Sequence, residues 1–386
     1  MVRLNIRYWF LAILILYILF HIIYTFFQKI HVDNSRISYE RLSDGPLLLK
    51  PGRQVQTRRG NVIEAIGYGL LTDFNPKQSH RKPQEVFPAS SSKKSELPEI
   101  LESNEKHFLE AAKTILQNFN ETDRQLLYFT LINKAFERMT LNWICNTALF
   151  PDVHSRTLIV SMDQFACESI KSQWDDSIAC ISLNIRDYDG GYEWGKQKYI
   201  NLLTIRAKLM FILTKAEIPY VLFETDATWF KDPLPLFLNR TSSFEDFDII
   251  VPIKGYNGGT SDTLSHNPML AIPTNGTLQF LEALVDKLEN NTRLYDQDVM
   301  NEMCAEQFNG LICRTFEYDE IADGKWFKSR NSGPQHPYIV NNNFYVGIKN
   351  KETRQSLNGL WFLATRSNQC KIGKVRNFLI ANSGTF

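Results

Sequence analysis

Apolar residues follow sharply different patterns along the chain. From Tyr8 to Phe27 they run without a formal charge, as YWFLAILILYILFHIIYTFF. A helix of that length, rising about 1.5 Å per residue, crosses a hydrocarbon core. A cleaved signal peptide would carry a shorter apolar region, about 7–15 residues, followed by small residues at a cleavage site. Here Gln28, Lys29, Ile30, His31 and Val32 follow instead, so the run reads as an uncleaved anchor. Arg3 and Arg7 on its short side place the amino terminus in the cytosol, with Lys29 opposing that bias.

Between Val32 and Ser103 no period is sustained. Arg81–Pro98 (RKPQEVFPASSSKKSELP) is a polar Pro/Ser/Lys stretch with too little apolar area to order itself, while Val62–Leu71 offers a local patch. The pattern divides the chain into a cytosolic tail over 1–7, a transmembrane signal-anchor over 8–28, a lumenal stem over 29–104 and one globular domain over 105–386.

Within that domain short apolar runs alternate with helix-like stretches. This is the pattern of an α/β fold, an open, mostly parallel sheet with helices on both faces. Leu126–Leu131 (LLYFTL), Thr157–Ser161, Ile178–Leu183, Tyr220–Phe223 and Asp248–Pro252 read as strands. Met139–Leu149 and Tyr199–Ala216 read as helices, the latter interrupted by Arg206 and Lys208.

Composition narrows the function classes. With 386 residues, 44% hydrophobic and 22% charged, the chain is neither disordered throughout nor collagen nor coiled coil. Its 43 basic residues against 42 acidic ones leave a net charge of +1 and no global basic field, so no nucleic acid is expected as a partner. Asn120, Asn239, Asn275 and Asn290 head Asn-x-Ser/Thr triplets, consistent with a lumenal placement. Cys145, Cys167, Cys180, Cys304, Cys313 and Cys370 are even in number and lack the C-x-x-C spacing of a zinc site. Disulfides and buried free thiols are both open readings, and local spacing favours Cys304 with Cys313.

The most informative segment is Ile218–Pro235, IPYVLFETDATWFKDPLP, where an apolar strand runs directly into acidic residues. Ligands of open α/β sheets bind beyond the carboxyl ends of the strands, which is where Glu224 and Asp226 emerge. Alternate residues of an extended chain share a side, so both carboxylates can face one divalent cation while Thr225 points away. Such oxygens suit Mn²⁺ or Mg²⁺. The bland reading of the same triplet is a solvated acidic turn.

In these residues the chain resembles the nucleotide-diphospho-sugar transferases of GT-A fold, which include plant cell-wall xylosyl- and arabinosyltransferase-like enzymes. Leu126–Ala148 is similar to the family's opening strand and Asn-Trp helix, and TLIVSMDQ, ending at Asp163 and Gln164, to its strand-plus-acid. FETDATWFKDP is similar to Asp-x-Asp-x-x-Trp-x-x-Asp-Pro, with Glu224, Asp226, Trp229, Asp232 and Pro233 in the matching places. Asn267–Leu284, Tyr295–Met303 and Tyr338–Trp361 resemble the Asn-led strand and helix, the Asp-Gln element and the closing His-x-Asn segment, in the family's order. Glu224 stands where the family has Asp, and Asn341 where it has the closing His, a neutral and weaker ligand.

The resemblance implies a GT-A transferase domain over 105–386 that uses a nucleotide-sugar donor, a UDP-sugar, with Mn²⁺ or Mg²⁺. It implies Glu224, Asp226 and Asn341 as the metal and diphosphate side. Thr130 and Asn133 would lie by the base, Asp163 by the ribose hydroxyls, and Arg206 or Lys208 by the diphosphate. Asp296 and Gln297 are the catalytic candidates toward donor sugar or acceptor, and Asp296 or Asp262 would supply the base of an inverting reaction. The plainer readings are a turn or cap for Asn133, a solvated face for Arg206 and core for Trp229. A type II Golgi membrane enzyme follows, lumenal and retaining, acting on a glycan or glycoprotein hydroxyl. Two alternatives stand beside it. One is a catalytically silent lumenal sugar- or partner-binding module of the same fold. The other is an anchored glycoside hydrolase, which needs two opposed carboxylates at a defined separation.

Overall fold

Both faces of every central strand are apolar, so this sheet has to be covered twice. The computed structural model describes residues 102–119, 125–185, 188, 190–192, 195–243, 246–256, 259–291, 293–328 and 337–383. These belong to one compact unit, Pro88–Phe386. The apolar run Tyr8–Phe27, the stem as far as residue 101 and Asn120 lie outside the described residues. Among the described residues no helix is long and apolar enough to cross a membrane.

The chain begins with α1 (Glu102–Gln117), followed by β1 (Leu127–Ile132), α2 (Glu137–Thr147), β2 (Thr157–Ser161), α3 (Gln164–Trp174) and β3 (Ala179–Ser182). Then come α4 (Gln197–Lys215), β4 (Tyr220–Leu222), β5 (Thr228–Trp229), α5 (Leu234–Ser243) and the strands β6 (Ile249–Tyr256), β7 (Gly259–Leu264) and β8 (Met269–Ala271). The last part holds α6 (Asn275–Asn290), α7 (Asp296–Ala305), β9 (Cys313–Phe316), β10 (Ile321–Ala322), β11 (Ile339–Val340), α8 (Ile348–Leu357) and α9 (Ile372–Ser383). The strands and helices expected from the pattern are present within a few residues. Helix α1 was not legible as such; it buries Phe108, Ala112, Ile115 and Leu116 on one face.

The main sheet has the order β3-β2-β1-β4-β8-β6-β7, with β9 beside β6. β1 pairs in parallel with β2 and β4, and β2 with β3. β8 runs against both β4 and β6, and β7 against β6, while β9 runs parallel to β6, so the sheet is mixed. The reason is chain length. Too few residues separate β6 from β7 for the crossover of a dozen or more that parallel pairing needs, whereas a hairpin needs only a turn.

Side chains alternate strictly between two cores. Leu127, Phe129, Leu158, Val160, Tyr220 and Leu222 pack under α1, α4, α6 and α7. Tyr128, Ile159, Val221, Ile250 and Leu270 pack on the opposite face, under α2, α3, α5 and α9. Three disulfides tie the periphery: Cys145–Cys370, Cys167–Cys180 and Cys304–Cys313, the last being the pairing that spacing favoured.

Topology positions the site. β2 and β3 lie to one side of β1 and β4 to the other, so the carboxyl ends of β1 and β4 flank a switch point, where open α/β sheets leave a crevice. A small sheet, β10-β11-β5, sits beyond it and carries Asn341 next to the residues that follow Asp226.

Candidate active site

β4 ends at Leu222, and the chain turns: Ala227 N–H donates to the Glu224 carbonyl at 3.2 Å. The acidic pair therefore sits in a turn and not in extended strand, as the alternation argument had assumed. Thr225 still points away, its hydroxyl 3.0 Å from that of Thr140 on α2, both buried. The flanking carboxylates share one electrostatic environment. Burial first and the Asp226 charge second push Glu224 above the usual carboxylate range, against the pull of Arg206 and Lys351.

Glu224 remains 39% exposed, and its Oε1 accepts from Arg206 Nη1 at 3.1 Å and Asn267 Nδ2 at 3.0 Å. Arg206 comes from α4 and also donates to Asp296 at the start of α7. Asp296 is buried, yet Arg206 and His266 outweigh desolvation and hold its carboxyl below the usual range. Its Oδ1 accepts from Gln297 N–H at 2.8 Å, and Gln297 Oε1 accepts from His266 N–H at 3.2 Å. The His266 ring lies 3.6 Å from Asp296 Oδ2, and burial lowers its pKa to about 4. Burial raises the Tyr199 hydroxyl above its ordinary range, and the Glu224 and Asp296 charges raise it further.

Asp226 is almost fully buried, at 1% exposure. Its Oδ2 accepts from the Lys351 ammonium of α8, and its carbonyl from Gln355 Nε2 at 2.7 Å. Its Oδ1 is buried without a hydrogen-bond partner. Burial pulls Lys351 down, but Asp226 and Glu224 hold it above the ordinary lysine range. Asn341 Nδ2 donates to the Asn267 carbonyl at 2.8 Å, one residue-link from Glu224.

The structure thus brings together Glu224, Asp226, Arg206, Asp296, Gln297 and Asn341. The remaining sequence-predicted residues line the β1 side. Thr130 is buried in β1 opposite Ile159. Asn133 accepts from Phe136 N–H at 3.3 Å and donates to the Gly190 carbonyl at 2.7 Å. Asp163 caps α3 through Ala166 N–H at 3.2 Å and accepts from Lys134 N–H at 2.6 Å. Lys208 pairs with Glu289 at 2.6 Å and Asp262 is exposed on β7, so neither joins the group. Trp229 is core. Lys351, His266, Asn267 and Tyr199 were missed. Lys351 and Gln355 at helical i,i+4 spacing were the available signal, but only the fold shows what that face meets. A separate hollow lined by Asp246, Gln307, Leu311 and Arg314 lies beside the Cys304–Cys313 disulfide and lacks this grouping of carboxylates.

A sequence profile for nucleotide-diphospho-sugar transferases matches residues 152–355, more than half of the chain. The chain belongs to this family. It is a nucleotide-sugar-dependent glycosyltransferase. No curated protein matches the transferase in sequence. Solved structures similar to it include mouse xyloside xylosyltransferase 1, at 11% identity and TM-score 0.36 over 58% of this chain and 99% of that one. Another is the galactosyltransferase LgtC with donor and acceptor sugar analogues, at 11% identity and TM-score 0.42 over 62% and 98%.

A divalent cation, expected from the resemblance, does not fit the transferase's donor set as placed. Lys351 occupies Asp226 Oδ2, and Arg206 with Asn267 holds Glu224 Oε1. Such a cation wants about six oxygens, whereas the buried oxygens here without a partner are Asp226 Oδ1, with an ammonium on its sister oxygen, and the neutral Asn267 Oδ1. Among the described residues no group of three or more His, Cys, Asp or Glu is placed to hold a metal ion.

Proposed function

We propose that the transferase is a type II membrane enzyme of the secretory pathway, with the Golgi its expected organelle. In this reading it moves a sugar from a UDP-linked donor to a hydroxyl of a glycan or glycoprotein with retention. The observation that carries it is the pairing of Glu224 and Asp226 at the tip of β4, on the switch point beside β1, under Arg206 and Lys351. Three disulfides favour an oxidising compartment, and the uncharged run Tyr8–Phe27 supplies the anchor.

The protein's own groups act as follows. The donor diphosphate lies over the carboxyl ends of β1 and β4, where Lys351 and Arg206 offset its charge. Arg206, bonded to both Glu224 and Asp296, fixes the distance between the diphosphate side and the sugar side. Gln297, tied to the His266 backbone, steadies the start of α7 against the donor sugar. The candidates for the base of an inverting reaction are Asp296 and Asp262. The first is ion-paired with Arg206 and the second is exposed on β7 outside the group, which supports a retaining reading in which the departing phosphate takes the acceptor proton.

The test is a thermal-shift panel of nucleotide sugars, followed by NMR of the anomeric product from the donor that binds. A stabilising donor hydrolysed or transferred with its anomeric configuration kept is the expected result. Failure of every nucleotide sugar to bind would leave a silent sugar- or partner-binding module as the better reading, and parent-like turnover by Asp226→Asn would remove the acidic pair as the seat of the reaction.

A further inference from the structure

The carboxylate at the tip of β4 comes with its own cation. Lys351 stands in the first turns of α8 with its side chain 16% exposed, and its ammonium donates to Asp226 Oδ2. Gln355, on the same helix face, donates to the Asp226 carbonyl at 2.7 Å, so α8 grips residue 226 by side chain and backbone together. Arg206 performs the matching role for Glu224 and Asp296. Arg354 is held by the Asn342 side chain at 2.6 Å and the Asn343 carbonyl at 2.7 Å, near enough for the Asp226 charge to act on it. Lys351 is therefore paired with Asp226, and Arg206 with both Glu224 and Asp296, while Arg354 adds positive charge nearby. A divalent ion entering between Glu224 and Asp226 would have to evict an ammonium from a buried carboxylate and then sit against it.

We propose that Lys351 is the built-in counter-cation of the departing diphosphate, and that this transferase binds and uses its donor without a divalent metal. The inference rests on the donor reading of this same crevice. In the transfer, the bond between the anomeric carbon and the terminal phosphate oxygen breaks and its electron pair stays on that oxygen. The acceptor oxygen bonds the anomeric carbon, and its proton passes to the leaving phosphate. An ammonium carries more donors than the one directed at Asp226, so Lys351 keeps that bond while donating charge-assisted bonds to the oxygens where negative charge accumulates. Asp226 and Gln355 hold it in place beforehand, so little reorganisation accompanies the step.

The test uses the full-length chain with two probes. Free-ion EPR of Mn²⁺ alone is followed as parent protein is added, and binding of UDP and GDP is measured by calorimetry in EDTA and in Mn²⁺. The parent is expected to leave the Mn²⁺ signal unsaturated, Lys351→Met to capture Mn²⁺ on the vacated Asp226 oxygen, and nucleotide affinity in the two buffers to agree within about tenfold. Saturable Mn²⁺ capture by the parent, nucleotide binding only in Mn²⁺, or no gain of Mn²⁺ binding by a folded Lys351→Met protein overturns the inference. The parent titrations decide it even where the variant does not fold. Absence of nucleotide binding in both buffers would instead sink the donor reading, leaving the Mn²⁺ titrations to decide the lysine.

Discussion

Arg206 and Asp296 form an ion pair across 90 residues of sequence, with side chains only 12% and 6% exposed. The pair joins α4 to α7 across the crevice, and through Glu224 Oε1 it joins both to the end of β4. Removing one member leaves the other charged and buried. Arg206→Met is therefore expected to destabilise the protein by about 3–5 kcal/mol. Adding Asp296→Leu should recover most of that loss, and urea unfolding of the two variants and the double variant measures the coupling.

Acid should weaken the fold in a defined window. Burial lowers the His266 pKa from 6.5 to about 4. An unfolded His266 binds a proton that the folded one refuses, so the stability it contributes is complete above its unfolded value. That stability is lost as pH falls from about 6.5 through about 4, up to about 3 kcal/mol. Asp296, held below its ordinary range, loses its contribution only below the unfolded carboxylate value, about 3.9. The melting temperature followed from pH 7 to 4 should show the drop, and His266→Asn should flatten the upper part of it.

Thr225 and Thr140 bury their hydroxyls against each other at 3.0 Å. Thr140 also donates to the Phe136 carbonyl at 3.0 Å, so Thr225 is the donor of the pair. Thr140→Val strands the Thr225 hydroxyl and should cost about 1–3 kcal/mol, while Thr225→Val leaves Thr140 bonded and should cost less, as should the double Val variant. Chemical denaturation of the set checks this, and UDP affinity checks whether the turn at Asp226 shifts with it.

The Cys145–Cys370 disulfide closes a separation of 225 residues and Cys304–Cys313 one of 9. Chain entropy in the unfolded state makes the long closure worth about 3 kcal/mol more than the short one. Paired Cys→Ser variants compared by thermal melting should show the larger loss for Cys145/Cys370.

The interior strands were legible in sequence because burial on both faces demands unbroken apolar runs, as in TLIVS and YVLF, and such runs have few other uses. Helix α4 was legible by its period. Helix α1 was not, because its apolar positions lie among Glu, Asn and Lys and only the sheet beneath it decides which face is inside. The antiparallel runs of β7 and β8 were equally hidden, since strand direction is set by connection length and by which neighbour is met.

At the site, the acidic pair after β4 was determined by the chain alone: a buried strand that runs on into Glu-Thr-Asp delivers those carboxylates to the sheet's carboxyl edge. What those carboxylates meet was decided by tertiary structure. Lys351 reaches Asp226 from 125 residues away, and Asn267 reaches Glu224 from 43, pairings that no local period encodes. Local pattern specifies backbone shape and which side chains are buried. The charge that surrounds a carboxylate is a sum over whatever the folded topology packs against it, and here that sum brings a lysine, two arginines and a neutral histidine to one crevice.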